Sequence, residues 1–226
     1  MRSVKCVAVA VFAAVVVLAM GPAQATTDTI ALIAPWGTAA YSGGQVRVTY
    51  SISASPAIPQ GTIDAVNSAI AHWNNCLGAG SNSFADPNFP TTDAGCAGLP
   101  TNGHWQFAEA NGGPPLVKIT IKKGGGTVAG QTFTKFDSSG FISSDRVQVS
   151  GSSFGVSNDS VVYNIALHEL GHVVGLGHST TSSADLMNPV LNGDTTFGPC
   201  ETNGVQALYG WLPGSPTHPS QNPVTC

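Results

Sequence analysis

Charge is scarce in this sequence: Asp, Glu, Lys and Arg make up 9% of its 226 residues, with 8 basic side chains against 12 acidic ones. Without a basic stripe the chain lacks the electrostatic footprint of a nucleic-acid binder. After residue 20 no stretch approaches the roughly 20 consecutive apolar residues that a membrane helix needs. No C-x-x-C spacing occurs, which argues against a cysteine-built zinc site. No internal repeat is visible, so a repeat array is excluded.

The first residues read as a secretory signal. Arg2 and Lys5 form a short basic start, Val7 to Met20 is uncharged and apolar, and Ala23-Gln24-Ala25 is an A-x-A cleavage site. The other reading is a retained anchor, for which the run is short and wrongly flanked. Removing residues 1–25 leaves 201 residues with 6 basic and 12 acidic side chains, a net charge of −6, starting at Thr26. That length suits one domain. Cys6 leaves with the signal, and Cys76, Cys96, Cys200 and Cys226 remain. An even number in an exported chain implies two disulfides with three possible connectivities. Cys76–Cys96 and Cys200–Cys226 are preferred because each closes a loop of modest length.

Histidine is also rare, at 6 in the chain, yet three fall within Leu167-His168-Glu169-Leu170-Gly171-His172-Val173-Val174-Gly175-Leu176-Gly177-His178-Ser179. Positions i and i+4 share a helix face, so His168 and His172 can aim two imidazoles at one point. Gly175 lets the chain leave the helix and bring back His178 as a third ligand. Three protein nitrogens suit a catalytic Zn²⁺, which keeps its fourth position for water. Glu169, beside the first ligand, is the candidate general base.

Periodicity places the rest. Gln45–Ser53, Leu116–Lys122, Thr127–Phe136 and Arg146–Ser150 alternate or read as strands, with a short one at His104–Phe107. Ile63, Val66, Ile70 and Trp73 recur at helical spacing behind Thr62 as a cap. His72, in this helix, is expected to be a surface or packing residue. Asn158-Asp159-Ser160 offers caps for the histidine helix, and a last helix is expected from about Thr202 to Tyr209, ended by Gly210. Residues 26–44 read as irregular, and the long stretch 76–115 needs a disulfide to pin it.

These motifs together resemble the matrixin branch of the metzincins. Ser179 follows the third His, Leu186-Met187-Asn188-Pro189 resembles the Met-turn, and Gly204–Gly210 resembles the end of a matrixin catalytic domain. The resemblance implies an α+β, zincin-like fold: a twisted five-stranded sheet, one edge strand antiparallel, with three helices. It implies a metalloendopeptidase whose substrate adds to the edge strand within Thr127–Phe136. Metal ligands would be His168, His172 and His178, the catalytic base Glu169, and the floor Met187. Pro189-Val190-Leu191 would line the pocket beyond the scissile bond. The relatives that use a Tyr as an extra transition-state ligand carry it where Pro189 stands, so that role is absent.

Departures from the family pattern set further expectations. Residues 26–44 hold no Cys, so no cysteine-switch prodomain is expected, and His104 alone does not supply a structural zinc site. The calcium loops are not recognisable, although Asp137 and Asp145 could bind an ion. Cys200 and Glu201 stand where relatives carry two Asp. The expected organisation is a signal at 1–25, a catalytic domain at 26–212 and a Pro-rich tail at 213–226 tied by a disulfide. The whole would be a secreted, monomeric endopeptidase with one zinc, acting on proteins or peptides, without nucleic-acid partners. Two other readings fit the residues: a zinc-binding protein with little proteolysis, and a zinc amidase acting on cell-wall peptides.

Overall fold

The computed structural model describes residues 28–79, 88–99, 103–123, 128–150, 159–180, 185–190, 193 and 195–226. Strand β1 spans Thr29–Leu32, β2 Tyr41–Ser42 and β3 Gln45–Ala54, and helix α1 spans Gln60–Cys76. Strands β4 (Trp105–Glu109), β5 (Val117–Lys122), β6 (Gly130–Phe136) and β7 (Ile142–Ser150) follow. Helix α2 (Asp159–Val174), β8 (Leu176–Ser179), α3 (Pro199–Tyr209) and β9 (Val224–Thr225) complete the chain.

The main sheet has five longer strands and the two-residue β2. Strand β3 pairs in parallel with β4 along Val46–Tyr50 and with β5 along Tyr50–Ala54. Strand β5 pairs in parallel with β7, and β6 lies antiparallel to β7 at the edge. This is the mixed, curled sheet with three α-helices that the resemblance implied. Strand alternation sets which residues enter the core: Val46, Val48 and Tyr50 of β3, and Val117, Ile119 and Ile121 of β5, are all buried.

Three expectations need correction. Residues 29–32 are not irregular: β1 sits between β8 and β9 in a second, three-stranded sheet. Its partners lie roughly 150 and 195 positions away, so no local pattern could announce the pairing. Helix α1 begins at Gln60, and Thr62 does not cap it; its hydroxyl instead donates to Asp159 Oδ1 at 2.9 Å, tying α1 to the start of α2. Strand β7 starts at Ile142, four residues early, because its first residues pair with β6 across a register irregularity. The expected turn at Gly124–Gly126 lies outside the described residues.

The disulfides are Cys76–Cys96 and Cys200–Cys226. The first brings the segment around Asp93 against α1. Asp93 Oδ1 accepts from the N–H groups of Gly95 and Cys96, and Oδ2 from Phe197 N–H at 3.1 Å. His72 Nε2 lies 3.0 Å from Asp93 Oδ2, and its Nδ1 meets the Tyr163 hydroxyl of α2. His72 is therefore a packing histidine, wholly buried. Its burial outweighs the Asp93 charge and holds its pKa below the usual histidine value.

Asp145 of β7 is 5% exposed. Burial raises its pKa to about 7. Because the folded pKa lies above the unfolded one, the native state retains a proton that the unfolded chain loses. The stability this contributes is complete below about pH 4 and is lost as pH rises through about 7. Each unit is worth about 1.4 kcal/mol, which sets a ceiling near 4 kcal/mol. Asp145→Asn should therefore gain stability over wild type between about pH 4 and pH 8. Parallel denaturant titrations across that range check this, and a constant difference would contradict it.

Candidate metal centre and active site

Helix α2 is held by bonds to its carbonyls as well as by packing. Trp36 Nε1 donates to Val173 O at 2.7 Å, and the Tyr209 hydroxyl donates to Val174 O at 2.6 Å. These partners satisfy acceptors that a helix C-terminus otherwise leaves open. Trp73 Nε1 donates to Leu167 O at 3.0 Å. At Gly175 the backbone turns with φ +110°, and a Cβ there would strike Ala34 O, so this position requires glycine. The chain continues into β8, which pairs with β1 through Ile30↔Ser179.

That path brings the three histidines together. Ring centroids lie 4.8 Å apart for His168–His172, 5.4 Å for His168–His178 and 4.9 Å for His172–His178. One ligating nitrogen from each lies within 4.8 Å of the others. His168 Nδ1 bonds to Leu186 O at 2.7 Å, and His172 Nδ1 to Leu176 O at 2.8 Å. A carbonyl accepts only, so each Nδ1 carries the proton and each Nε2 presents its lone pair. Burial lowers the pKa of all three rings. For His172 it does so to about 4, with the two neighbouring imidazoles adding to it against the Leu176 bond. Neutral imidazoles, two of them with the tautomer fixed, are the kind of donor set a zinc ion takes.

Glu169 is 5% exposed and lines the same cleft as the three histidines. Desolvation raises its pKa to about 7, while a bond from Thr132 opposes the rise. The Thr132 hydroxyl lies 2.6 Å from Glu169 Oε2. The cleft, about 620 Å³, runs along β6 and is also lined by Val128, Pro189 and Val190. Leu191, expected beside them, lies outside the described residues.

Met187 is wholly buried beneath α2. Its carbonyl accepts from Ser179 N–H at 3.0 Å, linking the turn to the strand of the third histidine. Its N–H donates to Glu201 Oε1 at 2.9 Å, and Glu201 Oε2 accepts from Gly198 N–H at 2.8 Å. Glu201 thus anchors the turn at Met187 to the start of α3. Asp185 accepts Asn188 N–H through its carbonyl, in keeping with a turn residue.

Other candidates stand apart. His218 Nε2 meets Ser139 O at 2.8 Å, on the far turn. His104 precedes β4 and joins no metal-sized group among the described residues. Asp137 Oδ1 closes its own turn, accepting from Ser139 and Phe141 N–H, and no such group unites it with Asp145. A second group, His72, Cys76, Asp93 and Cys96, is already occupied by a disulfide and by the bonds to Asp93. Sequence reasoning missed Thr132 and the bonding role of Glu201. Nothing in the local pattern around either residue points to its distant partner.

A sequence-family profile described as Matrixin matches residues 42–210, and the chain belongs to the matrixin family. Among individual relatives it is similar to interstitial collagenase of Sus scrofa, at 43% identity over 68 residues, covering 29% of this chain and 13% of that protein. It is also similar to human matrix metalloproteinase-19, at 39% identity over 82 residues, covering 27% of this chain and 16% of the relative. The chain thus aligns with less than a fifth of the length of either relative. Of solved structures, high choriolytic enzyme 1, a hatching-enzyme zinc protease from Oryzias latipes, aligns over 79% of this chain and 95% of its own, at TM-score 0.43 and 12% identity. Myroilysin aligns over 79% and 98%, at TM-score 0.42 and 9% identity.

Gly171 packs against this floor: a Cβ there would overlap the Met187 thioether and lie 3.4 Å from Trp73 Cζ2. Gly171→Ala should cost about 1–3 kcal/mol, the usual range for overpacking. Thermal unfolding of the zinc-free protein measures it, and an unchanged midpoint would contradict the tight floor.

Proposed function

We propose that this protein is a secreted zinc endopeptidase with Glu169 as its general base. The observation that carries the proposal is the convergence of three neutral imidazoles and one buried carboxylate in a cleft beside an exposed sheet edge. His168, His172 and His178 would hold the ion through Nε2 of at least the first two, whose Nδ1 atoms are committed to carbonyls. Zinc bound there supplies a Lewis acid and acidifies water.

The remaining work falls to the chain. Among the described residues strand β6 is bonded to β7 on one side only, so its other edge can take an extended peptide as an added strand. Val190, 71% exposed, and Pro189 offer an apolar wall for a substrate side chain. Glu169 accepts a proton from the attacking water and passes it to the leaving amine. Met187 packs as a floor under the helix and need not touch the ion.

Residues 1–25 act as the export signal, 26–212 as the catalytic domain and 213–226 as a tail fastened through Cys226. The enzyme works as a monomer on protein or peptide substrates. No described helix is long and apolar enough to cross a membrane.

Glu169→Gln should keep its zinc and lose about 10²- to 10⁴-fold in kcat, the usual contribution of a general base. A chelator should abolish cleavage, and added zinc should restore it. Cleavage of a diverse peptide pool, with the cuts mapped by mass spectrometry, reads both. Wild-type rates in the Gln variant would overturn the role of Glu169, and indifference to chelator would overturn the zinc. Cuts confined to cell-wall peptides would favour an amidase, and none at all a binding protein.

A further inference from the structure

The edge strand does more than offer backbone to a substrate. Gly130 and Thr132 lie two positions apart on β6, so their side-chain positions share one face, the face turned to α2. Both meet Glu169. The Thr132 hydroxyl donates to Oε2 at 2.6 Å and also lies 3.2 Å from the Glu169 carbonyl. The single hydroxyl proton belongs with the shorter contact, to the carboxyl oxygen. At Gly130 a Cβ would stand 2.5 Å from Oε1 and 2.7 Å from Cγ of Glu169. The carboxylate therefore rests against the strand, with one oxygen tied to Thr132 and the other over the space that glycine leaves.

We propose that Thr132 is a positioning residue for the Glu169 carboxylate, holding it on the edge strand that also receives the substrate. This inference rests on the reading of Glu169 as general base. A glutamate has three rotatable bonds, and a base must be aimed before it can accept a proton in the transition state. Burial of the side chain beside Gly130 limits where its Cγ can go. The hydroxyl bond fixes the last of the three. Thr132 pairs with Val147 of β7, so its backbone is set by the sheet and not by the loop that precedes it. The Thr132 side chain is thus a fixed donor at a fixed place. Because β6 is also the strand that a peptide would extend, the base and the scissile bond are referenced to one element.

The test uses the full mature chain and three variants. Thr132→Val keeps the shape and removes the donor, Thr132→Ser keeps the donor, and Glu169→Gln removes the base. Thr132→Val should lower kcat by about ten- to a hundredfold with KM unchanged, the range expected for one bond to a charged group. Thr132→Ser should stay within about threefold of wild type, since its donor is intact. Combining Thr132→Val with Glu169→Gln should add nothing to the loss of Glu169→Gln alone, because the bond has no base left to aim. Zinc content should be unchanged in all. A crystal structure of zinc-free Thr132→Val should show the Glu169 carboxylate moved from its wild-type place.

Wild-type kcat in Thr132→Val, with Glu169→Gln inactive, would overturn the role of Thr132 and leave the general base standing. Wild-type kcat in Glu169→Gln would instead overturn the general base itself. Equal losses in the Val and Ser variants, or a Val effect that adds fully to Glu169→Gln, would reduce Thr132 to ordinary packing and overturn the inference. If Thr132→Val fails to fold, the Ser variant and Thr132→Ala carry the same comparison: Ala should lose kcat and Ser should not.

Discussion

The seating of α2 is the constraint on which everything else depends. This helix carries two histidines and the carboxylate, and the third histidine leaves its end through a single glycine. Its carbonyls are held from three directions: by Trp36 before the first long strand, Trp73 of α1 and Tyr209 of α3. A rotation of α2 would break all three bonds and scatter the imidazoles. The same burial that fixes the helix also keeps its histidines neutral and its glutamate hard to ionise. Packing and chemistry are therefore one device: the dry surroundings that rigidify the helix also set its proton affinities.

The reach of sequence reasoning follows the distance over which each feature is specified. The spacing of His168 and His172, and the exit at Gly175, lie within three helical turns, so their convergence could be read directly. Alternation at β3 and β5, and helical spacing at Ile63, Val66, Ile70 and Trp73, likewise come from neighbouring residues. The pairing of β1 with β8 joins Ile30 to Ser179, and no stretch of ten residues encodes it. Thr62 reads as a cap because caps are local; its hydroxyl goes to Asp159, almost a hundred positions on. Thr132 and Glu201 were hidden for the same reason, since each finds its partner only when two elements pack. Family resemblance filled part of that gap, pointing to the β6 region as the edge strand.

The second sheet shows how the third histidine is steadied. Strand β8, which contains His178, is braced by β1, and β1 is braced in turn by β9 beside Cys226. The Cys200–Cys226 bridge fastens that end to α3, whose Glu201 also holds the Met-turn. His178 is the most exposed of the three, and it is the one that needs an external brace. Strands β1 and β9 and the last helix thus converge behind His178.

On the proposed reading, one zinc would be held by three histidines and by no sulfur. X-ray absorption at the zinc edge of the mature, zinc-loaded protein tests it most directly. The expected spectrum shows one equivalent of zinc with only nitrogen and oxygen neighbours at about 2.0–2.1 Å. A sulfur shell near about 2.3 Å, which would place the ion at Cys76 and Cys96, would contradict it.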